Sequence, residues 1–485
     1  MAERRMLIRN ADFDGGRIDL RIVDGRVAET GTDLDPHDGA VVEAGGGALL
    51  PGLRDHHVHA QSLAAALASV RCGPPTIQDA ADLARTLAAA APVAGWIRGT
   101  GYFESVAGDL DRDALDRFRD DVAVRIQHRS GVMWFLNSKA IEALDLGAAA
   151  RPGLERDDRG RITGRFFRAD AWLRAHLPEA PPPDLARVGR YFAARGVTEL
   201  TDCTPSNDAT DYARFVEARS SGDLPQRVTV MGTLGLEATT ASVAVGAHKI
   251  MLDEPALPDL DRLIERIRAA HAEERSVAFH AVTRTEIQFA LAALEAAGPS
   301  GGDRMEHASI APPETIDAIR RLRVTVVTQP NFVGERGDDY LRDVEPRDRP
   351  HLYRVKSWRD ACVRLHFGTD APFGEPDPWA ALEAAVTRRT PSGRVLGEDE
   401  RLAPDEALRH FLAIDDPRAD GFEPGRPADL CLLDRPWTEA AAHLSDVRVV
   451  QTWLGGEPLL PRDDTGGDGL HTSLQSGHRG ERSTA

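Results

Sequence analysis

Three side chains able to hold a metal ion stand two residues apart at the end of one apolar run. In Leu49-Leu50-Pro51-Gly52-Leu53-Arg54-Asp55-His56-His57-Val58-His59 the run breaks at Pro51-Gly52 and then delivers Asp55, His57 and His59. Residues i, i+2 and i+4 of a strand share a face, so these three point one way and His56 and Val58 the other. Two adjacent neutral imidazoles make half a metal site. Groups of matching chemistry recur singly after later apolar stretches: Lys249 in Ala247–Leu252, His280, Glu306-His307, and Asp370 in Gly368-Thr369-Asp370-Ala371-Pro372. Imidazole and carboxylate suit Zn²⁺, and several His with one Asp and an open position describe a catalytic site, not a closed structural one.

Such residues need a frame that brings them to one place. Short buried strands are expected at 49–55, 197–201, 227–231, 247–252, 276–280, 304–307, 324–328 and 363–369, with amphipathic helices between successive pairs, as at 260–272, 285–297 and 314–322. Eight βα units imply an α/β fold, a closed (β/α)₈ TIM-like barrel in preference to an open sheet. Active sites of such barrels lie at the C-terminal strand ends. The metal-type residues fall at those ends.

The flanks read differently. Residues 18–28 alternate around Asp24-Gly25 as a β-hairpin, and strands are expected again at 429–434 and 449–454. Segments 1–50 and 400–460 are therefore expected to pair into a small β-sandwich, leaving 51–399 as the barrel. Within it, 76–195 is Ala-rich and reads as a helical insertion. Its stretch 127–138, which includes Trp134, mixes polar and aromatic groups like a loop lining a pocket. Residues 461–485 carry almost nothing apolar and are expected to be a disordered tail.

Composition excludes several classes. The formal charge of −18 repels a nucleic-acid backbone, so no nucleic-acid partner is expected. Cys72, Cys203, Cys362 and Cys431 lie far apart, without a Cys-x-x-Cys pair or disulfide framework. No secretion signal or bilayer-length apolar run stands in the sequence, which makes a cytoplasmic protein without membrane partners the expectation; a homo-oligomer stays open.

The pattern Pro51-Gly52-Leu53-x-Asp55-x-His57-x-His59, a strand-four lysine, single histidines on strands five and six, and Gly368-Thr369-Asp370 resemble the amidohydrolase superfamily. Asn137-Ser138, Lys249, Glu306-His307, Gln329-Pro330 and Asp370-Ala371-Pro372 with Val386-Thr387-Arg388 resemble its YtcJ-like branch. The resemblance covers nearly all of residues 6–460. It implies His57, His59, Lys249, His280, His307 and Asp370 as ligands of one or two Zn²⁺ ions. It implies also that Lys249 is carboxylated and bridges two ions; chemistry alone, with an ammonium that has no lone pair to offer, favours an ordinary lysine. Asp370 would hold the metal and take a proton from the attacking water, which a metal brings close to neutral acidity.

The reaction expected is hydrolysis of a C–N bond in a small amide, formamide or cyclic amide. Two alternatives remain: a mononuclear zinc deaminase of an aminated heterocycle, and a non-catalytic binding protein on the same fold. Such deaminases carry a glutamate three residues after the strand-five histidine, where this chain has Thr283. Three further positions depart from the branch. His280 is followed by Ala281-Val282 in place of a Gly-Asp pair, Val132 replaces a histidine, and Arg168 stands near an expected glutamate. Arg168 or Arg284 could then hold a substrate carboxylate by a bidentate contact.

Overall fold

The computed structural model describes residues 4–36, 39–147, 151–178, 182–412 and 422–459. The expected disordered tail, 461–485, lies outside the described residues.

Eight parallel strands follow one another in sequence order: β1 (Leu53–Val58), β2 (Val197–Asp202), β3 (Arg227–Gly232), β4 (Val243–Met251), β5 (Val277–Ala281), β6 (Arg304–His307), β7 (Thr325–Thr328) and β8 (Leu365–Phe367). The expected (β/α)₈ barrel is borne out. Its ends meet through the backbone, where Asp370 N–H donates to the His57 carbonyl at 2.8 Å and His59 N–H to the Ala371 carbonyl at 2.8 Å. Gly368 permits that approach. A Cβ there would stand 2.5 Å from the Cβ of His57.

The expected first strand is in fact two. Leu49–Pro51 pairs antiparallel with Leu430–Leu433 in a separate sheet, and β1 begins only at Leu53. The break falls at Gly52, where a Cβ would meet Thr198 Oγ1 at 2.2 Å.

The small sandwich is borne out too. One sheet holds Arg5–Phe13, Gly16–Val23, Arg26–Gly31 and Ala40–Glu43; the other holds Leu49–Pro51, Leu430–Leu433, Val449–Leu454 and Glu457–Pro458. Ile8, Leu20 and Ile22 of the first share a core with Leu430, Leu432 and Trp453 of the second. Asp24 and Gly25 turn the hairpin with φ of 46° and 76°, the pair of positive angles a type I′ turn requires.

Residues 65–183 form a compact unit of their own, and here the helical reading of 76–195 is corrected. The unit is built on a six-stranded mixed sheet, with Leu154–Arg156, Ile162–Phe167, Met133–Leu136, Ala123–His128, Trp96–Tyr102 and Val70–Arg71 in spatial order. The alanine-rich helix Ala80–Ala89 and the helix Arg112–Phe118 pack on one face of that sheet, through Leu83, Leu87, Ala114 and Leu115. Two of its strands, with glycines at 99 and 101 or arginine at 125, lack clean alternation, which hid them. Stretch 127–138 is half strand, at 127–128 and 133–136, with Trp134 paired opposite Gln127.

Candidate metal centre

His57 and Asp370 are brought together by the backbone pairing that closes the barrel. His57 Nε2 lies 3.4 Å and His59 Nε2 3.2 Å from the same carboxylate oxygen, Asp370 Oδ1. His307, at the end of β6, brings its ring to 4.9 Å from that of His57, and the His280 ring lies 4.4 Å from His307. One oxygen and several imidazoles thus share the C-terminal end of the barrel.

The other nitrogens of three rings are already engaged. His57 Nδ1 donates to Glu306 Oε2 at 2.6 Å and His307 Nδ1 to Gln329 Oε1 at 2.8 Å, while His59 Nδ1 lies 2.9 Å from Thr204 Oγ1, a hydroxyl able to donate or accept. The bonds to Glu306 and Gln329 set the tautomer of His57 and His307 whose Nε2 carries a lone pair, as metal-binding histidines require. Their Nε2 atoms are left for a metal. His307 Nε2 and Asp370 Oδ1 are both buried without a hydrogen-bond partner among the described residues, a costly arrangement that a divalent cation relieves.

Lys249 lies on β4 and is 1% exposed, and its Nζ also has no hydrogen-bond partner among the described residues. Its charge acts on His57, His280, His307 and Glu306, which places it within this cluster.

Electrostatics favours the ligand-ready protonation states. Burial, then the Lys249 charge, lowers His57 to about 4 despite Glu306 beside it. Burial lowers His307 to about 3 and holds His280 well below the ordinary imidazole value. For Asp370 burial acts upward, but the neighbouring rings of His59, His57 and His307 outweigh it, holding the carboxyl well below its usual range. Three neutral rings and one carboxylate result.

Glu306 sits entirely buried between two partners. Arg304 Nε donates to its Oε1 at 2.7 Å and Arg304 Nη2 to its Oε2 at 3.1 Å, the oxygen that also accepts from His57. Asp55, on the histidines' face, accepts from Thr369 Oγ1 at 2.6 Å and Thr369 N at 3.0 Å, which orients the loop bearing Asp370. His56 faces the other way and stacks on His366 with centroids 4.2 Å apart. Sequence reasoning missed Cys203, whose sulfur lies with His57 and Glu306 in a second cluster of metal-type atoms. Burial pushes that thiol up, so it stays protonated at neutral pH. Arg304, Thr204 and Cys203 carried no signal in the chain, because each acts through a contact distant in sequence.

The remaining predicted residues have these places. Trp134 and Arg168 lie in the 65–183 unit. The Trp134 indole is buried and donates to Asp170 Oδ1 at 3.1 Å; Arg168 has a left-handed φ of 51° and donates its N–H to the Val132 carbonyl. Arg284 opens the helix Arg284–Ala297, where Nη2 pairs with Asp348. Thr283 caps that helix by accepting from Glu286 N–H. The position at which a deaminase would carry its glutamate is spent on helix capping.

A parallel barrel that gathers imidazoles, a carboxylate and a buried lysine at its C-terminal mouth is the frame of a metal-dependent hydrolase. The model of the amidohydrolase family matches residues 40–460. The chain belongs to that family, and is accordingly an enzyme that uses a divalent metal to hydrolyse carbon–nitrogen bonds of small molecules. It is 26% identical to an N-substituted formamide deformylase of Arthrobacter pascens, over 89% of this chain and 93% of that protein. Among solved structures it resembles an uncharacterized metal-dependent hydrolase from Pyrococcus horikoshii OT3, with a TM-score of 0.72, 20% identity, and coverage of 90% of this chain and 99% of that one. It resembles also N-isopropylammelide isopropylaminohydrolase from Burkholderia multivorans, with a TM-score of 0.52, 17% identity, and coverage of 94% and 98%. No helix among the described residues is long and apolar enough to cross a membrane.

Proposed function

We propose that this enzyme hydrolyses an amide or formamide C–N bond, with His57, His59, His280, His307 and Asp370 holding Zn²⁺ and Lys249 bridging a second ion as its carbamate. The observation that carries the reading is the pair of committed Nδ1 atoms of His57 and His307, which leaves their Nε2 lone pairs free, together with the approach of His57 and His59 Nε2 to within 3.4 and 3.2 Å of Asp370 Oδ1. Lys249 supports two ions. Its buried nitrogen has no hydrogen-bond partner among the described residues, and cations beside an ammonium would repel it, whereas a carbamate formed with CO₂ supplies two oxygens for them. A bound ion supplies Lewis acidity and acidifies water at neutral pH.

The protein's own groups do the rest. Asp370, held ionised by its imidazole neighbours, accepts the proton of the attacking water and returns it to the leaving nitrogen. Asp55 keeps that carboxylate aligned through Thr369. The formamide substrate class draws on the similarity to the deformylase; the deaminase reading loses its proton shuttle to the cap formed by Thr283.

Elemental analysis of protein purified with bicarbonate and without chelator tests the site, for wild type and Lys249→Ala. Near two zinc ions per chain, falling to one or none in the variant, is expected. One ion in both would make Lys249 structural and bring the mononuclear deaminase forward. Formate release from N-benzylformamide tests the reaction, and zinc-replete protein that leaves it intact argues against the formamide class.

A further inference from the structure

The wall of the barrel mouth beyond β7 carries a cation that the proposed chemistry does not use. The helix Asn331–Asp343 begins directly after Gln329-Pro330, at the same barrel end as Asp370. In its second turn Arg336 donates Nη2–H to the Phe373 carbonyl, while its guanidinium carbon lies 4.2 Å from the Phe332 ring centroid. Phe373 stands three residues past Asp370, its ring 5.3 Å from that of His59. The guanidinium is therefore tied to the loop that bears the proposed proton acceptor.

Arg336 forms no ion pair among the described residues, and its nearest carboxylate in sequence is already engaged. Glu335 Oε1 accepts from Asn331 Nδ2 at 2.8 Å and from Glu375 N–H at 2.9 Å. A guanidinium presents five N–H donors in a fork matched to a carboxylate; one is committed to Phe373, and the Phe332 ring lies against the group. The same wall leaves Asn331 Oδ1 and Gln329 Nε2 buried without hydrogen-bond partners among the described residues. Asn331 Nδ2 is committed to the Thr369 carbonyl at 3.1 Å as well as to Glu335, so its Oδ1 is fixed as an acceptor with no donor among the described residues. The charge of Arg336 is attracted by Glu335 and Asp370 without an ion-pair contact among the described residues, so its fork keeps N–H groups for a carboxylate, and Asn331 Oδ1 lacks an N–H donor there. Arg284, by contrast, has its carboxylate in Asp348.

We infer that Arg336 anchors a carboxylate on the substrate, making the substrates carboxylate-bearing amides or formamides, of which N-formyl amino acids are the simplest. Asn331 Oδ1 accepts the amide N–H of the same molecule. This deepens the C–N hydrolase reading and rests on it for turnover, but not for binding.

The test therefore measures binding apart from catalysis. Zinc-loaded Asp370→Asn protein, with and without Arg336→Met, is titrated calorimetrically with N-formylphenylalanine and with its methyl ester, and zinc content is checked in each. Replacing a charge-assisted pair is expected to weaken the acid about 10- to 100-fold and to change the ester less than about twofold. Equal weakening of both ligands would make Arg336 a structural tether for Phe373. A preference for the acid that persists without Arg336 would assign the carboxylate to the metal, and no binding of the acid at all would also overturn the proposal. Formate release by the protein with Asp370 intact is read separately. Arg336-dependent binding without release would keep the anchor and defeat the formamide reaction.

Discussion

Glu306→Gln tests whether the buried carboxylate behind His57 serves folding, metal binding or both. Arg304 and His57 both bond to Glu306, sharing its Oε2, and Glu306 is wholly buried. The glutamine keeps the size and can still accept from His57 Nδ1–H, but it leaves the Arg304 charge unbalanced. Removing one partner of a buried pair costs roughly 3–5 kcal/mol, and altering the group behind a metal-bound histidine costs about 10- to 100-fold in metal affinity. Two terms are thus superposed, and a second variant separates them. Arg304→Met with Glu306→Leu removes both charges and fills the volume, so most of the stability should return. Metal affinity should not, because His57 Nδ1 then has no partner. Urea unfolding of the apo protein reads the first quantity, and competition with a zinc chelator reads the second. Zinc affinity of Glu306→Gln within twofold of wild type would refute the reasoning, as would a double variant that regains both quantities.

Asp370→Asn should lower turnover by about a thousandfold or more, since it removes the proposed proton acceptor; residual activity near one tenth of wild type would place the proton transfer elsewhere. Chelator treatment should abolish activity, and zinc with bicarbonate should restore it; restoration by zinc alone in CO₂-free buffer would count against the Lys249 carbamate. Acid should destabilise the apo protein over a definite window. Burial holds His57 and His410 at about 4 and His307 and His366 at about 3, below the ordinary 6.5, so the unfolded chain binds protons that the folded chain refuses. Their contribution is complete above about pH 6.5 and is lost as pH falls through 4 to 3, so urea midpoints should drop steadily from pH 7 to pH 4.5; a flat profile sinks this account. Gly368→Ala should cost roughly 1–3 kcal/mol or more and also weaken zinc binding, because its Cβ would stand 2.6 Å from the His57 backbone nitrogen. A variant as stable as wild type would show that the barrel closure yields easily.

The barrel was legible because its strands are buried on both faces and recur at βα spacing, and the residues of the centre because each stands at a strand end. Three things were not. The sheet of the 65–183 unit lacks alternation: Gly99 and Gly101 sit in a strand, and at Gly99 a side chain would meet Cys72 Sγ at 2.5 Å, so packing and not periodicity dictates the residue. The split of the first strand follows from two different partners on either side of Gly52, which one apolar run cannot announce. The third is the arrangement behind the histidines. Glu306, Thr204 and Gln329 follow β6, β2 and β7, or stand within them, and each reaches a ring across a turn or across the barrel. Sequence spacing can present ligands on one face, but it cannot state which nitrogen of a ring is free. That choice belongs to hydrogen bonds made between strands, and the same bonds turn a cluster of histidines into a set of converging lone pairs. A histidine whose Nδ1 lost its partner could rotate or switch tautomer, so the support is as much a condition for metal binding as the ligand itself.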